Sequence, residues 1–189
     1  MSAGNRSLLG ALLFVGAAQF ILVMTVAEAL YPGYSIATNY ISDLGVGSTA
    51  LLFNTSEIAY GVMTFSGAVF GRRTLGTPLT LTLALFGAHS VGTGLVPDTI
   101  FIPHATLALI GWLSGAATAI ISYRIVRKPL SYFLAALGVI EFTAIGMFLS
   151  QFILGHYLGM GQGTIERMFV YPSIIWPLGF GGAMIGAKE

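Results

Sequence analysis

The chain has 189 residues, 56% of them hydrophobic and only 8% charged, with a mean hydropathy of +0.86. A soluble domain carries about 25% charged residues, so this composition excludes a water-covered globular surface. The net charge of +1 gives no reason to expect a nucleic-acid partner, and the absence of cysteine excludes a disulfide framework, a thiolate metal site and a cysteine nucleophile.

The length suits one domain, here a single transmembrane unit over 1–189. A membrane span needs about 20 apolar residues. Taken in chain order, six runs meet that need: 8–30, 51–71, 78–96, 104–126, 130–154 and 168–187. The expected fold is therefore an all-α bundle of six transmembrane helices. The first run follows Arg6 and ends near Ala27-Glu28-Ala29, which resembles a signal-peptide cleavage site. It is longer than a signal core of about 7–15 residues, and so reads as a retained helix. In the second run Asn54, Thr55, Ser56 and Glu57 dilute the apolar character, and in the sixth Pro172 and Pro177 are expected to bend or break the helix.

Basic residues set the orientation. With the N-terminus inside, Arg6, Arg72, Arg73, Arg124, Arg127, Lys128 and Lys188 all face the cytoplasm, and Arg167 is the one exception. The positive-inside rule selects this arrangement, with both termini cytoplasmic. Gly67–Gly71, Gly111–Gly115 and Gly182–Gly186 each form a G-x-x-x-G pair. Such pairs let helix backbones approach in lipid, here chiefly within the subunit, with a homo-oligomer face as the alternative.

The first outer connection, 31–50, is long enough to be functional or folded on itself. Its Ser42-Asp43 pair suits the cap of a short helix lying on the membrane. On this topology the acids and imidazoles gather in the outer half. Glu28 ends the first helix, Asp43 and Asp98 lie in outer loops, and Glu166 and His156 lie in the last one. His104 starts the fourth run, Glu57 and His89 sit about two turns below the outer surface, and Glu141 is near mid-membrane. Asn54, Glu57 and Gly61 share one helix face, as do His89 and Thr93.

Intramembrane ionisable groups tend to mark function, and three constellations follow. His89, His104 and Asp43 or Asp98 would be a three-ligand zinc set, though no H-E-x-x-H motif supports it. A haem between His89 and His104 is disfavoured by their different depths. A metal-free pocket of Glu57, His89, Asp43 and Asn39 would hold a lipid headgroup, a quinone or a cation, with acid–base chemistry available from a His–carboxylate pair. The plainer readings are loop caps for Asp43 and Asp98 and an interhelix hydrogen bond for Glu141.

Tyr31-Pro32-Gly33-Tyr34-Ser35, then Asn39-Tyr40-Ile41-Ser42-Asp43-Leu44-Gly45, then Phe53-Asn54, and later Gly94-Leu95-Val96-Pro97-Asp98 with His104, together form a recognisable pattern. It resembles the domain of unknown function 998 family, small polytopic membrane proteins common in archaea. The resemblance spans nearly the whole chain. It implies a six-helix membrane fold and an archaeal plasma membrane, and it implies no activity. Its matched positions are Asn39, Ser42, Asp43, Asn54, Asp98 and His104; Glu57, His89 and His156 lie outside the pattern.

The expected function is thus an outward-facing acidic and histidine-bearing site that binds or processes a lipid-like or amphipathic molecule. Asp43 and His104 are the candidate acid–base pair. Asn39, Ser42, Asn54, Glu57, His89 and Asp98 are the candidate ligand-binding groups. The alternatives are a non-catalytic subunit of a larger membrane complex, with a membrane-protein partner, and an ion or proton pathway through Glu57 and Glu141.

Overall fold

The computed structural model describes residues 3–155 and 159–186, and all regular structure among them is helical. His156, Lys188 and Glu189 lie outside the described residues. Five α-helices follow in order: α1 Ala3–Leu30, α2 Ala50–Leu95, α3 Phe101–Ile121, α4 Leu130–Leu154 and α5 Gln162–Gly186. Short 3₁₀ turns occupy Ser42–Gly45, Gly47–Thr49 and Ser122–Arg124.

Four helical segments are long and apolar enough to cross a membrane, Asn5–Leu30, Phe101–Arg124, Leu130–Leu154 and Gln162–Gly186, against the six expected from the apolar runs. They make the chain a multi-pass membrane protein. The difference lies in α2. The runs 51–71 and 78–96 fall in this single 46-residue element, which also carries Asn54, Glu57, Arg72, Arg73 and His89.

α2 is folded back on itself. Gly76 has φ 71° and ψ 166°, a conformation outside the helical range that glycine adopts without strain. Pro78 follows at once, in the first turn of the second half, where its missing N–H costs nothing. The halves 50–75 and 77–95 then run antiparallel in direct backbone contact. A Cβ at Gly61 would come within 2.6 Å of the Gly87 carbonyl oxygen, one at Gly87 within 2.5 Å of the Phe65 nitrogen, and one at Gly94 within 2.7 Å of the Ile58 side chain. Only glycines permit this approach.

The helices close a ring. α1 packs on α2 and α5, α3 on α2 and α4, and α4 on α5. The first half of α2 takes the α1 contact, with Gly67 and Gly71 against Leu9 and Leu13. Its second half takes the α3 contact, with Gly92 against Leu107 and the His89 ring against Gly111. α1 and α5 meet through Gly10 and Gly181, each 2.6 Å from the other's carbonyl oxygen once given a Cβ. Of the three G-x-x-x-G pairs, the first two are thus filled from within the chain, while Gly182 and Gly186 have nothing within 4 Å.

Of the expected bend or break at Pro172 and Pro177, the break does not occur: α5 runs as one helix through both. Pro177 cannot donate to the carbonyl of Ser173 four residues earlier. That oxygen instead accepts from the Tyr60 hydroxyl at 3.4 Å, so α2 supplies the missing donor. On the same face Trp176 donates its indole N–H to Ser122 at 2.9 Å and stacks on Phe180.

Candidate functional site

The site begins with the connection 31–49, which folds onto the start of α5. The first N–H groups of a helix lack intrahelical acceptors. Here the Ala37 carbonyl accepts from Gly163 N–H at 3.0 Å and from Thr164 N–H at 3.4 Å. Gly163 is required for this, because a Cβ would overlap the Asn39 carbonyl oxygen.

Two buried charged residues on the first turns of α5 hold the loop. The Arg167 guanidinium is 4% exposed and spends one terminal nitrogen on three carbonyls: Ile36 at 3.0 Å, Asn39 at 3.1 Å and Gly163 at 3.0 Å. Its other terminal nitrogen reaches the Glu28 carboxylate at 2.7 Å and the Tyr34 hydroxyl. Burial holds the Tyr34 phenol above its ordinary value, so it keeps its proton and donates to the Tyr40 carbonyl at 3.0 Å. Next door, the buried Glu166 carboxylate accepts the Ile41 N–H.

Asp43 completes the loop. Its carboxylate accepts from the Asn39 side-chain amide at 2.8 Å and from the Tyr40 N–H at 3.1 Å, while Asn39 Oδ1 accepts the Ser35 N–H at 3.0 Å. The 3₁₀ turn that follows buries Leu44 completely and sets Gly45 against Asn54, whose amide donates to the Gly45 carbonyl at 3.0 Å. The Asn39-to-Gly45 block is therefore a self-braced turn docked on α2 and α5. No side chain caps the 3₁₀ turn at its N-terminus, so the expected Ser42-Asp43 cap takes this other form.

Beneath the turn lies a cavity of about 70 Å³, room for about five water molecules. Ser42, Asn54, Glu57, His89, Asp98 and His104 all line it, together with Glu166. Asn39 and Asp43 are outside its lining and serve the loop instead. Glu57 is tied across the α2 fold by the Thr93 hydroxyl at 2.7 Å. The His89 ring packs on Gly111 and on Phe86, and its Nδ1 has no hydrogen-bond partner. His104 donates from Nδ1 to the Val96 carbonyl at 2.7 Å, because a carbonyl only accepts. Its Nε2 is then the nitrogen left for chemistry in the cavity. Burial holds the Asp98 carboxyl above its ordinary range. Asp43 pushes in the same direction, and hydrogen bonds from Ser42 and the Thr99 N–H, with His104 nearby, oppose it.

An apolar groove of about 270 Å³ opens beside the cavity between α3 and α4. Ser42, Asp98, His104, Ala108, Trp112 and Glu166 border both spaces. Phe101, Phe148, Leu149 and Phe152 form the groove's outer walls, with Phe101 and Phe152 stacked at 6.2 Å. Among the described residues no three His, Asp or Glu side chains come close enough together to hold a metal ion. The zinc set of His89, His104 and Asp43 or Asp98 is therefore not assembled. Glu141 stands apart, fully buried in α4 against Gly115, with neither carboxyl oxygen hydrogen-bonded.

A family model described as "Protein of unknown function (DUF998)" matches residues 14–183. The chain belongs to the DUF998 family. No curated protein and no solved structure matches it. The residues that carried the resemblance divide by role: Asn39 and Asp43 brace the loop, Asn54 anchors it to α2, and Ser42, Asp98 and His104 border the cavity. Glu166 and Arg167, which make the site's strongest contacts, were not among the candidate site residues. The signal for Arg167 was present as the one basic residue on the outer side of the topology.

Asp98 gives the site a pH signature. The folded chain holds the Asp98 proton more tightly than the unfolded chain does. Its penalty is absent below about pH 4 and grows as pH rises through the folded value. Asp98→Asn removes that penalty, so its melting temperature relative to the parent protein rises between about pH 4 and about pH 7. Thermal unfolding in detergent at both pH values measures this; a difference that stays constant or shrinks contradicts it.

Proposed function

We propose that the protein binds a single amphipathic, lipid-like molecule from the outer side of the plasma membrane. Its polar end sits among Ser42, Asp98, His104 and Glu166, and its apolar chain lies in the groove between α3 and α4. The observation that carries this reading is the shared border of the two spaces: a small cavity on which the polar side chains converge and a larger, more apolar groove meet at the same residues. Ligand sites combine an apolar lining with a few convergent polar groups, and a groove that opens laterally suits a ligand that arrives through the bilayer.

His104 is the group best disposed to act on a bound headgroup. Its Nδ1 is engaged by Val96, so Nε2 is oriented to accept a proton, with Asp98 beside it. Hydrolytic or transfer chemistry would use His104 as the acid–base group, and Asp43, committed to the loop, would act only through position.

Lipid extraction and mass spectrometry of the purified protein test this. His104→Ala and Ala105→Phe, the second filling the groove, are each expected to reduce a co-purifying amphiphile about tenfold relative to the parent protein. An unchanged lipid profile in both variants overturns the reading.

The proposed site is outward-facing only if the chain crosses six times, with each half of α2 counted as a crossing and the basic connections inside. The antiparallel contact of Gly61 with Gly87 supports this. The chain has no cysteine, so one introduced thiol reports alone. A membrane-impermeant maleimide on intact cells is expected to label Ser48→Cys and to spare Thr77→Cys. Labelling of both, or of Thr77→Cys alone, contradicts the topology.

A further inference from the structure

Among the described residues, the end of the bundle opposite the loop gathers cations and no acidic side chain. Arg6 opens α1, Arg72 and Arg73 precede the α2 fold, Arg124 ends a 3₁₀ turn, and Arg127 and Lys128 form the connection to α4. The single ion pair among the described residues is Arg167–Glu28, at the other end. Glu28, Asp43, Glu57, Asp98 and Glu166 belong to the loop half, and Glu141 is mid-bundle. Positive charge on the cytoplasmic side is expected of any membrane protein, so charge alone does not make a site here.

The shape does. A cleft of about 610 Å³ opens between the start of α1, the α3–α4 connection and the end of α5. Arg6, Arg127 and Lys128 line it, and Ile125, Leu130 and Met184 form its apolar sides. Arg6 is half-buried, and its Nε is fully buried with no hydrogen-bond acceptor. α1 and α4 both begin at the cleft, and helix N-termini favour negative charge.

We propose that this cleft binds the phosphate-bearing headgroup of an anionic membrane lipid. Arg6, Arg127 and Lys128 take the phosphate oxygens, and Ile125, Leu130 and Met184 flank the first methylenes of the chains. The apolar sides favour a lipid over a free phosphate, since an inorganic ion would leave them uncovered. This site lies at the opposite end of the bundle from the proposed amphiphile cavity and does not depend on it.

Native mass spectrometry of the full chain, titrated with phosphatidylglycerol and with phosphatidylcholine, tests the proposal. The parent protein is expected to bind phosphatidylglycerol preferentially. Each cation near an anionic headgroup is worth about fivefold in affinity, so Arg6→Gln with Arg127→Gln is expected to weaken phosphatidylglycerol binding more than tenfold. Arg72→Gln with Arg73→Gln, which removes the same charge outside the cleft, leaves that binding within about twofold. If the double variant in the cleft fails to fold, Lys128→Gln, an exposed side chain, is expected to give the single step of about fivefold. Equal binding of the two lipids, or equal loss in the two double variants, overturns the site. Displacement of the lipid by inorganic phosphate at comparable concentration overturns the lipid assignment.

Discussion

One buried guanidinium organises the loop end of this protein. A charge inside a membrane protein is expensive, and a loop turned inward leaves carbonyls that need donors. Arg167 answers both demands at once. Its terminal nitrogens serve three carbonyls, a carboxylate and a phenol, a pattern that the planar, multi-donor guanidinium can meet and a lysine ammonium cannot. The connection 31–49 is thereby pinned to α1 through Glu28 and to α5 through the backbone. Glu166 adds a second tie through Ile41 N–H, and the turn that carries Ser42 is set over the cavity.

Much of this was legible in the sequence. The run 130–154 coincides with α4 to the residue, because Pro129 and Gly155 bound an uninterrupted apolar stretch. Read as a topology, the one-sided distribution of Lys and Arg puts Ser42, Asn54, Glu57, His89, Asp98 and His104 in the same half of the bundle, and these six line one cavity. Composition could not show that the second and third apolar runs belong to one folded element. That depends on a single positive φ at Gly76 and on glycines that meet only after the chain turns back.

The residues that sequence reasoning passed over share a physical cause. Glu166 and Arg167 read as outer-loop residues because the apolar run begins at Met168, whereas the helix itself begins at Gln162. Its first turns are polar because they face the loop carbonyls rather than lipid. Asp43 differs in the opposite sense: an acid in a long loop resembles a site residue, yet its Oδ2 accepts from both the Asn39 amide and the Tyr40 N–H and braces the loop. For Glu166 and Arg167 the deciding contacts cross between segments far apart in the chain, which local pattern does not encode, whereas Asp43 is occupied by its near neighbours three and four residues back.

The two ends of the bundle differ in kind. Among the described residues, the loop end holds the ion pair of Arg167 with Glu28 and the acids that line the cavity, while at the basic end the cations stand without ion pairs. The central claim is that Arg167 holds the loop and, through it, the cavity. Hydrogen exchange of Arg167→Met, read peptide by peptide by mass spectrometry, tests it most directly. Removing one partner of a buried ion pair costs about 3 kcal/mol or more. Faster exchange is expected across 31–49 and the first turns of α5, with the basic end of α4 unchanged. Exchange in 31–49 identical to that of the parent protein would contradict the account.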